Sequence, residues 1–258
     1  MVTLINNHWC EKEEARIDLF SDAVMYGVGL FETFRTYQGK RFFRLEDHIE
    51  RLLDSAGQIV LTSSYSALQI KNMVEQVAAL SQWELQRVKI LMLADQLTVT
   101  SSQLIPDESI VEGVGLKSVH QQRALPEFKS TSYLDCLRSY QIARDAGFYD
   151  ALLLDNGGYV TEGSRSNVFW INGNSVLTRG DGVLPGITRK VIIEDNSLNI
   201  QFNKANLGTL VQADELFITN SIIGVVPVVK LDDTLIGNGK VGPLTQSIAS
   251  RYSRLHTP

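Results

Sequence analysis

Apolar and polar positions along the first third of the chain divide into two periods. Leu30-Phe31-Glu32-Thr33-Phe34-Arg35-Thr36-Tyr37 is rich in Phe and Thr and predicts a strand; Gln38-Gly39 reads as a turn, and residues 41–43 return as a second strand, so a hairpin is expected. From Leu45 the spacing becomes helical. Ile49, Leu52, Leu53 and Ala56 fall on one face, while Glu46 and Asp47 occupy the first turn, where acidic groups complement the helix dipole. A longer helix over about 66–81 is predicted to bury Leu68, Met73, Val74, Val77 and Leu80. Residues 2–4, 88–93, 97–101 and 114–119 read as strands. The polar run Gln121-Gln122-Arg123, ending at Pro126, is the best linker candidate.

Beyond that run the pattern changes. A helix over about 132–146 is closed by Gly147. Short strands at 151–154, 159–161, 168–171 and 176–178 follow, separated by Asn156-Gly157-Gly158 and Asn172-Gly173-Asn174, which reads as a β-meander. Pro185-Gly186 precedes a helix over 187–193, strands are predicted at 216–219 and 225–229, and residues 244–252 form a terminal helix. The fold class is α+β in two lobes: an N-terminal lobe 1–120, a linker 121–127 and a β-rich C-terminal lobe 128–258.

Composition narrows the classes. With 258 residues, 44% hydrophobic and 21% charged, the chain can bury enough apolar surface to offset its ordering entropy. No apolar run approaches the length of a membrane span and no signal peptide opens the chain, so a cytoplasmic location is expected. Cys10 and Cys136 are too far apart for a redox or zinc pair, and the four histidines share no metal-ligand spacing. The formal net charge of −5 provides no basic field for nucleic acid or an anionic membrane. A small-molecule substrate is the default partner.

Two familiar catalytic signatures are missing: the sequence holds no Walker loop and no GxSxG elbow, and Gly27-Val28-Gly29 reads as a plain turn. Lys129 lies at the junction of linker and helix, in Pro126-Glu127-Phe128-Lys129-Ser130-Thr131-Ser132-Tyr133-Leu134. It is either an ordinary solvated lysine or a desolvated one of depressed pKa that forms a Schiff base and moves protons. Thr161-Glu162-Gly163-Ser164-Arg165-Ser166-Asn167 sets a carboxylate beside small polar residues and alone reads as a loop. Leu184-Pro185-Gly186-Ile187-Thr188-Arg189 opens a helix, whose N–H groups and dipole favour an anion, and Thr219-Asn220-Ser221 ends an apolar strand with two hydroxyls and an amide. Singly, each is as well read as a cap or turn. Together with Lys129, Glu162 and Arg51 they are the groups that an aldehyde cofactor bearing a phosphate and a pyridine requires.

These motifs, with Tyr26-Gly27-Val28-Gly29-Leu30-Phe31-Glu32-Thr33-Phe34-Arg35 and Arg44-Leu45-Glu46-Asp47-His48-Ile49-Glu50-Arg51-Leu52, stand in the order found in the fold-type IV pyridoxal-phosphate enzymes, or class IV aminotransferases, which the chain resembles over nearly its whole length. The resemblance implies two α/β lobes with pyridoxal 5′-phosphate between them, a homodimer, and no metal. It implies that Lys129 is the Schiff-base and catalytic lysine, that Glu162 pairs with the pyridine nitrogen, and that Tyr133 hydrogen-bonds the phenolic oxygen. Arg51, Ile187, Thr188 and Ser221 would hold the phosphate, and Phe31, Asn220 and Arg165 would meet the substrate. Within the family, Leu30-Phe31-Glu32-Thr33 and Thr219 onward to Pro227 are most similar to aminodeoxychorismate lyases, which make 4-aminobenzoate and pyruvate for folate synthesis. The alternative is an aminotransferase of D-amino or branched-chain amino acids. No arginine occurs between Arg87 and Arg123, so recognition of a substrate carboxylate would fall to Arg165, Lys89 or a partner chain.

Overall fold

The computed structural model describes residues 1–59, 61 and 64–256, which pack as two compact units. The first comprises Met1–Ile105, Phe128–Ser132 and His256; the second comprises Pro106–Glu127 and Tyr133–Leu255.

The first unit contains β1 (Val2–Ile5), β2 (His8–Trp9), α1 (Asp22–Met25), β3 (Leu30–Tyr37), β4 (Arg41–Phe42), α2 (Leu45–Gln58), α3 (Ala67–Leu80), β5 (Gln86–Met92) and β6 (Leu97–Gln103). Its sheet runs β2-β1-β6-β5-β3-β4, antiparallel throughout. Strict alternation along β3 buries Leu30, Glu32, Phe34 and Thr36 and leaves Phe31, Thr33, Arg35 and Tyr37 on the opposite face. The buried face packs on α2 and α3 through Phe34, Ile49, Leu52, Val74, Val77 and Ile90. Ser66 starts α3 with a capping box formed with Gln69, which satisfies two otherwise orphaned donors. Leu68 and Leu80, expected inside, are 66% and 62% exposed. The buried stripe is Ile70, Met73, Val74, Val77 and Ala78; residue 68 falls outside its i, i+3, i+4 row, whereas residue 80 is in the row but is the last residue of the helix.

The second unit contains β7 (Val114–His120), α4 (Leu134–Asp145), β8 (Asp150–Leu154), β9 (Val160–Gly163), β10 (Asn167–Asn172), β11 (Ser175–Thr178), α5 (Ile187–Ile193), β12 (Asn199–Phe202), α6 (Leu207–Leu210), β13 (Glu215–Asn220), β14 (Gly224–Leu231), β15 (Thr234–Leu235) and α7 (Pro243–Arg254). Its sheet runs β12-β11-β10-β13-β14-β7-β8-β9, with β15 added to β14. The expected meander is corrected here. β8 and β9 form one hairpin and β10 and β11 another, but β9 does not pair with β10; β10 pairs with β13, and β7 lies parallel to both β8 and β14. Trp170, Phe169 and Phe217 fill the centre of this unit.

The lobe boundaries shift accordingly. β7 belongs to the second sheet, so the second unit begins at Pro106 rather than after a linker at 121–127. Residues Phe128–Ser132 return to the first unit because they pair with β3, so Lys129 belongs to the first unit and not to a lobe 128–258.

Candidate active site

In the first unit the site grows from the start of β3. The Phe31 amide donates to the Lys129 carbonyl (2.9 Å), the Thr131 amide donates to the Gly29 carbonyl (2.8 Å), and Leu30 and Ser130 form an antiparallel bridge. Thr131 Oγ1 also donates to the Gly27 carbonyl at 2.7 Å. Gly29 permits the approach: a Cβ there would lie 2.9 Å from Thr131 Oγ1 and 2.7 Å from Leu93 Cδ2. Gly27-Val28-Gly29, read as a turn from the sequence, is thus also the platform on which the lysine segment rests. Lys129 is half-buried, and its Nζ sits 4.6 Å from the centroid of the Phe31 ring.

Arg51 projects from α2 onto Glu32. Its Nε donates to Glu32 Oε1 (2.7 Å) and its Nη2 to Oε2 (2.6 Å), a bidentate pair, while His48 Nδ1 lies 2.7 Å from Oε2. The Glu32 side chain is 1% exposed. Burial alone would raise its pKa, but the charges and hydrogen bonds of Arg51 and His48 outweigh burial and hold it down at about 2. Burial lowers the His48 pKa against the pull of Glu32, which favours a neutral ring whose Nδ1–H donates to the carboxylate.

In the second unit the centre is Glu162. Its Oε1 accepts from Arg123 Nη1 (2.6 Å), and its Oε2 accepts from the Leu184 amide (3.0 Å) and Asn167 Nδ2 (3.4 Å). Asn167 Nδ2 also donates to the Leu184 carbonyl at 2.8 Å. A Cβ on Gly186 would come within 2.0 Å of Asn167 Oδ1, so a hydrogen is the only substituent that fits there. Gly186 starts α5, whose first residues Ile187 and Thr188 are buried, with Thr188 Oγ1 3.2 Å from the Tyr252 hydroxyl. Thr219, the cross-strand partner of Asn167, has a buried hydroxyl with no hydrogen-bond partner among the described residues. A cradle lined by Asn167, Gly186 and an orphaned hydroxyl, beside a carboxylate held by three donors, has the donor set that a phosphorylated pyridine needs.

Other expected contacts take more local forms. The Tyr133 hydroxyl donates to the Ser164 carbonyl (3.0 Å), and burial pushes its phenol pKa up, so its one proton is committed there. Asn220 Nδ2 donates to the Arg165 carbonyl (3.1 Å), and its Oδ1 accepts from the Ile222 and Ile223 amides, fixing the turn after β13. The Arg165 guanidinium stacks 3.5 Å from the Tyr140 ring centroid. Ser221 is half-buried at the end of β13. Lys129, Phe31 and Arg51 fall in the first unit, and Tyr133, Glu162, Arg165, Ile187, Thr188, Asn220 and Ser221 in the second. Sequence reasoning missed Arg123, Asn167 and the Glu32–His48 pair. A signal existed for Glu32, whose place in the alternation with Leu30 and Phe34 buries a carboxylate that must find a partner.

The family model for amino-transferase class IV matches residues 29–231. The chain belongs to the class IV aminotransferases. This family depends on pyridoxal 5′-phosphate. Among curated class IV relatives, the D-alanine aminotransferase of Bacillus licheniformis is 30% identical over 96% of this chain and 94% of its own length. The aminodeoxychorismate lyase of Bacillus subtilis (strain 168) is 29% identical over 97% of this chain and 93% of its own. Among solved structures, the T.th. branched-chain amino acid aminotransferase with pyridoxamine 5′-phosphate superposes with a TM-score of 0.91 at 25% identity, covering 99% of this chain and 94% of that one. Among the described residues of this class IV chain, no helix is long and apolar enough to cross a membrane, and no group of three or more His, Cys, Asp or Glu could hold a metal.

Proposed function

We propose that this chain is a pyridoxal 5′-phosphate enzyme that uses Lys129 to process a small-molecule amine, and that its reaction is the lyase conversion of 4-amino-4-deoxychorismate to 4-aminobenzoate and pyruvate. The observation that carries the reading is the clamp on Lys129: its own carbonyl accepts from the Phe31 amide of β3, the next residue, Ser130, bridges Leu30, and its amine rests on the Phe31 ring. When bound, the cofactor supplies an aldehyde for the amine and an electron sink for the adjacent carbon. The chain does the rest. Glu162, which accepts from Arg123, Asn167 and the Leu184 amide, would hold a proton on the pyridine nitrogen. For the phosphate, Arg51, fixed by Glu32, is the candidate of the first unit, and Ile187, Thr188 and Ser221 are those of the second. Lys129 removes the proton from the carbon bearing the substrate amine and returns one to the departing pyruvate, acting as base and then as acid. Aromatisation of the ring drives the loss of the enolpyruvyl group.

The lyase reading is favoured by Phe31, which puts an aromatic ring without a hydroxyl against Lys129, where D-amino-acid aminotransferases usually have Tyr. Amine transfer is the second reading, favoured by 30% identity to a D-alanine aminotransferase over nearly the whole chain. The protein should carry a visible absorption band that borohydride abolishes, with the reduced label on Lys129, and Lys129→Ala should lack the band. Retention of the band in that variant would overturn the assignment of the lysine. Release of 4-aminobenzoate from aminodeoxychorismate, measured beside keto-acid formation from D-alanine and L-leucine, separates the reactions; keto acid without aromatic product would make it an aminotransferase.

A further inference from the structure

The face of the first sheet that turns away from α2 and α3 is cationic. Register sets Thr33 opposite Lys89 and Arg35 directly opposite Arg87, so two guanidinium-bearing residues form a cross-strand pair. Like charges in that position destabilise a sheet. The one acidic residue of β3, Glu32, points to the other face, and β5 and β6 contain none. The hydroxyls of Thr33, Thr100 and Ser102 share the cationic face. Arg87 and Lys89 are exposed and have no hydrogen-bond or ion-pair partner among the described residues. Lys89 reaches along the sheet until its Nζ lies 4.9 Å from the Phe31 centroid, the same ring that takes Lys129 Nζ at 4.6 Å. Two amines thus share one ring, and one of them is the amine proposed to handle the reacting proton. Desolvation lowers the Lys89 pKa, which an arriving anion would reverse.

The geometry points to Lys89, backed by Arg87, as the residue that receives a substrate carboxylate distant from the reacting carbon. This rests on the proposed role of Lys129. It deepens that reading by naming the residue that would receive the distant carboxylate. Aminodeoxychorismate and glutamate both present this chemistry, and they differ in the product they would leave.

The test uses the cofactor-loaded protein and two unreactive probes, succinate and acetate, with binding followed by calorimetry. Lys89→Met should weaken succinate by about tenfold while acetate changes by less than about twofold, and Lys89→Arg should restore succinate binding, because a cation should confer such a margin on an anion. KM for aminodeoxychorismate, or for glutamate, should rise with succinate's dissociation constant, with kcat falling less. Equal losses for both probes, or none, would overturn the inference. The borohydride label on Lys129 is read in the same preparations. If the label is absent the cofactor reading fails by itself, and if it is present while succinate binding is unmoved, only the role of Lys89 fails.

Discussion

Glu32 is the acidic residue that β3 buries. Its carboxylate is buried and answers to one guanidinium and one imidazole. Removing the acid while keeping its partners leaves Arg51 in a site that is only 10% exposed, without its counter-charge. Glu32→Leu should therefore lower unfolding stability by about 3–5 kcal/mol, measured by urea denaturation. The same variant should weaken cofactor binding if Arg51 depends on Glu32 for its aim. The pH dependence follows from the shifts. His48 is buried with a lowered pKa, so its contribution is complete above its ordinary 6.5 and is lost as pH falls below that value. Glu32, held at about 2 against an ordinary 4.5, contributes fully above 4.5 and loses that contribution between 4.5 and 2. Urea midpoints should fall in two stages on acidification, the first below pH 6.5, and His48→Asn should remove the first stage. The residues of this triad were only partly legible in sequence. The alternation of β3 exposes the problem of a buried carboxylate, but the answer lies 16 and 19 residues away on a helix, and periodicity does not say which helical face will meet which strand. Arg123 was illegible for a stronger reason: in sequence it stands in a polar run that looks like a solvated linker, and only the fold brings it to a carboxylate 39 residues later.

At the scale of elements, the long periodic segments were readable because one face of each is decided locally. β3 and α5 have the bounds that their residue patterns imply, and α2 begins at Leu45 as expected. Partners of strands were not readable. The neighbours of β7 are β8 and β14, both parallel to it, and nothing in a run of seven residues encodes which distant strand will lie alongside. The close contacts between elements yield tests of their own. Gly29→Ala should press on Thr131 and Leu93 and displace the segment that carries Lys129; activity should drop by about a hundredfold while the far-ultraviolet spectrum is unchanged, since misplacement by an ångström has that order of effect. Gly186→Ala should displace Asn167 from Glu162, and its signature is a weakened affinity for pyridoxal phosphate in titrations of the cofactor-free protein.

For the whole molecule, a band of apolar side chains between residues 17 and 26 remains uncovered: Phe20 is 80% exposed, Tyr26 73%, Leu19 66%, Met25 54% and Ile17 49%. A monomer seldom displays so many large apolar groups in ten residues. We expect the protein to sediment at twice its chain mass of 28.8 kDa, and Phe20→Asp to shift it toward the monomer. A wild-type protein that sediments as a monomer at micromolar concentration would show that this segment is not a subunit contact.

The return of Phe128–Ser132 to the first unit has a consequence for how such a protein is made and remade. During synthesis the strand that will carry Phe31 leaves the ribosome almost a hundred residues before the lysine that must lie against it, so that flank of β3 waits for a partner that the chain has yet to supply. Recombination meets the same arrangement. An exchange of residues 106–255 for those of a relative would bring in a foreign lysine segment while leaving behind the ring and glycines that seat it. Chimaeras should therefore survive best when residues 27–31 and 128–132 travel together, as though they were one continuous stretch of sequence.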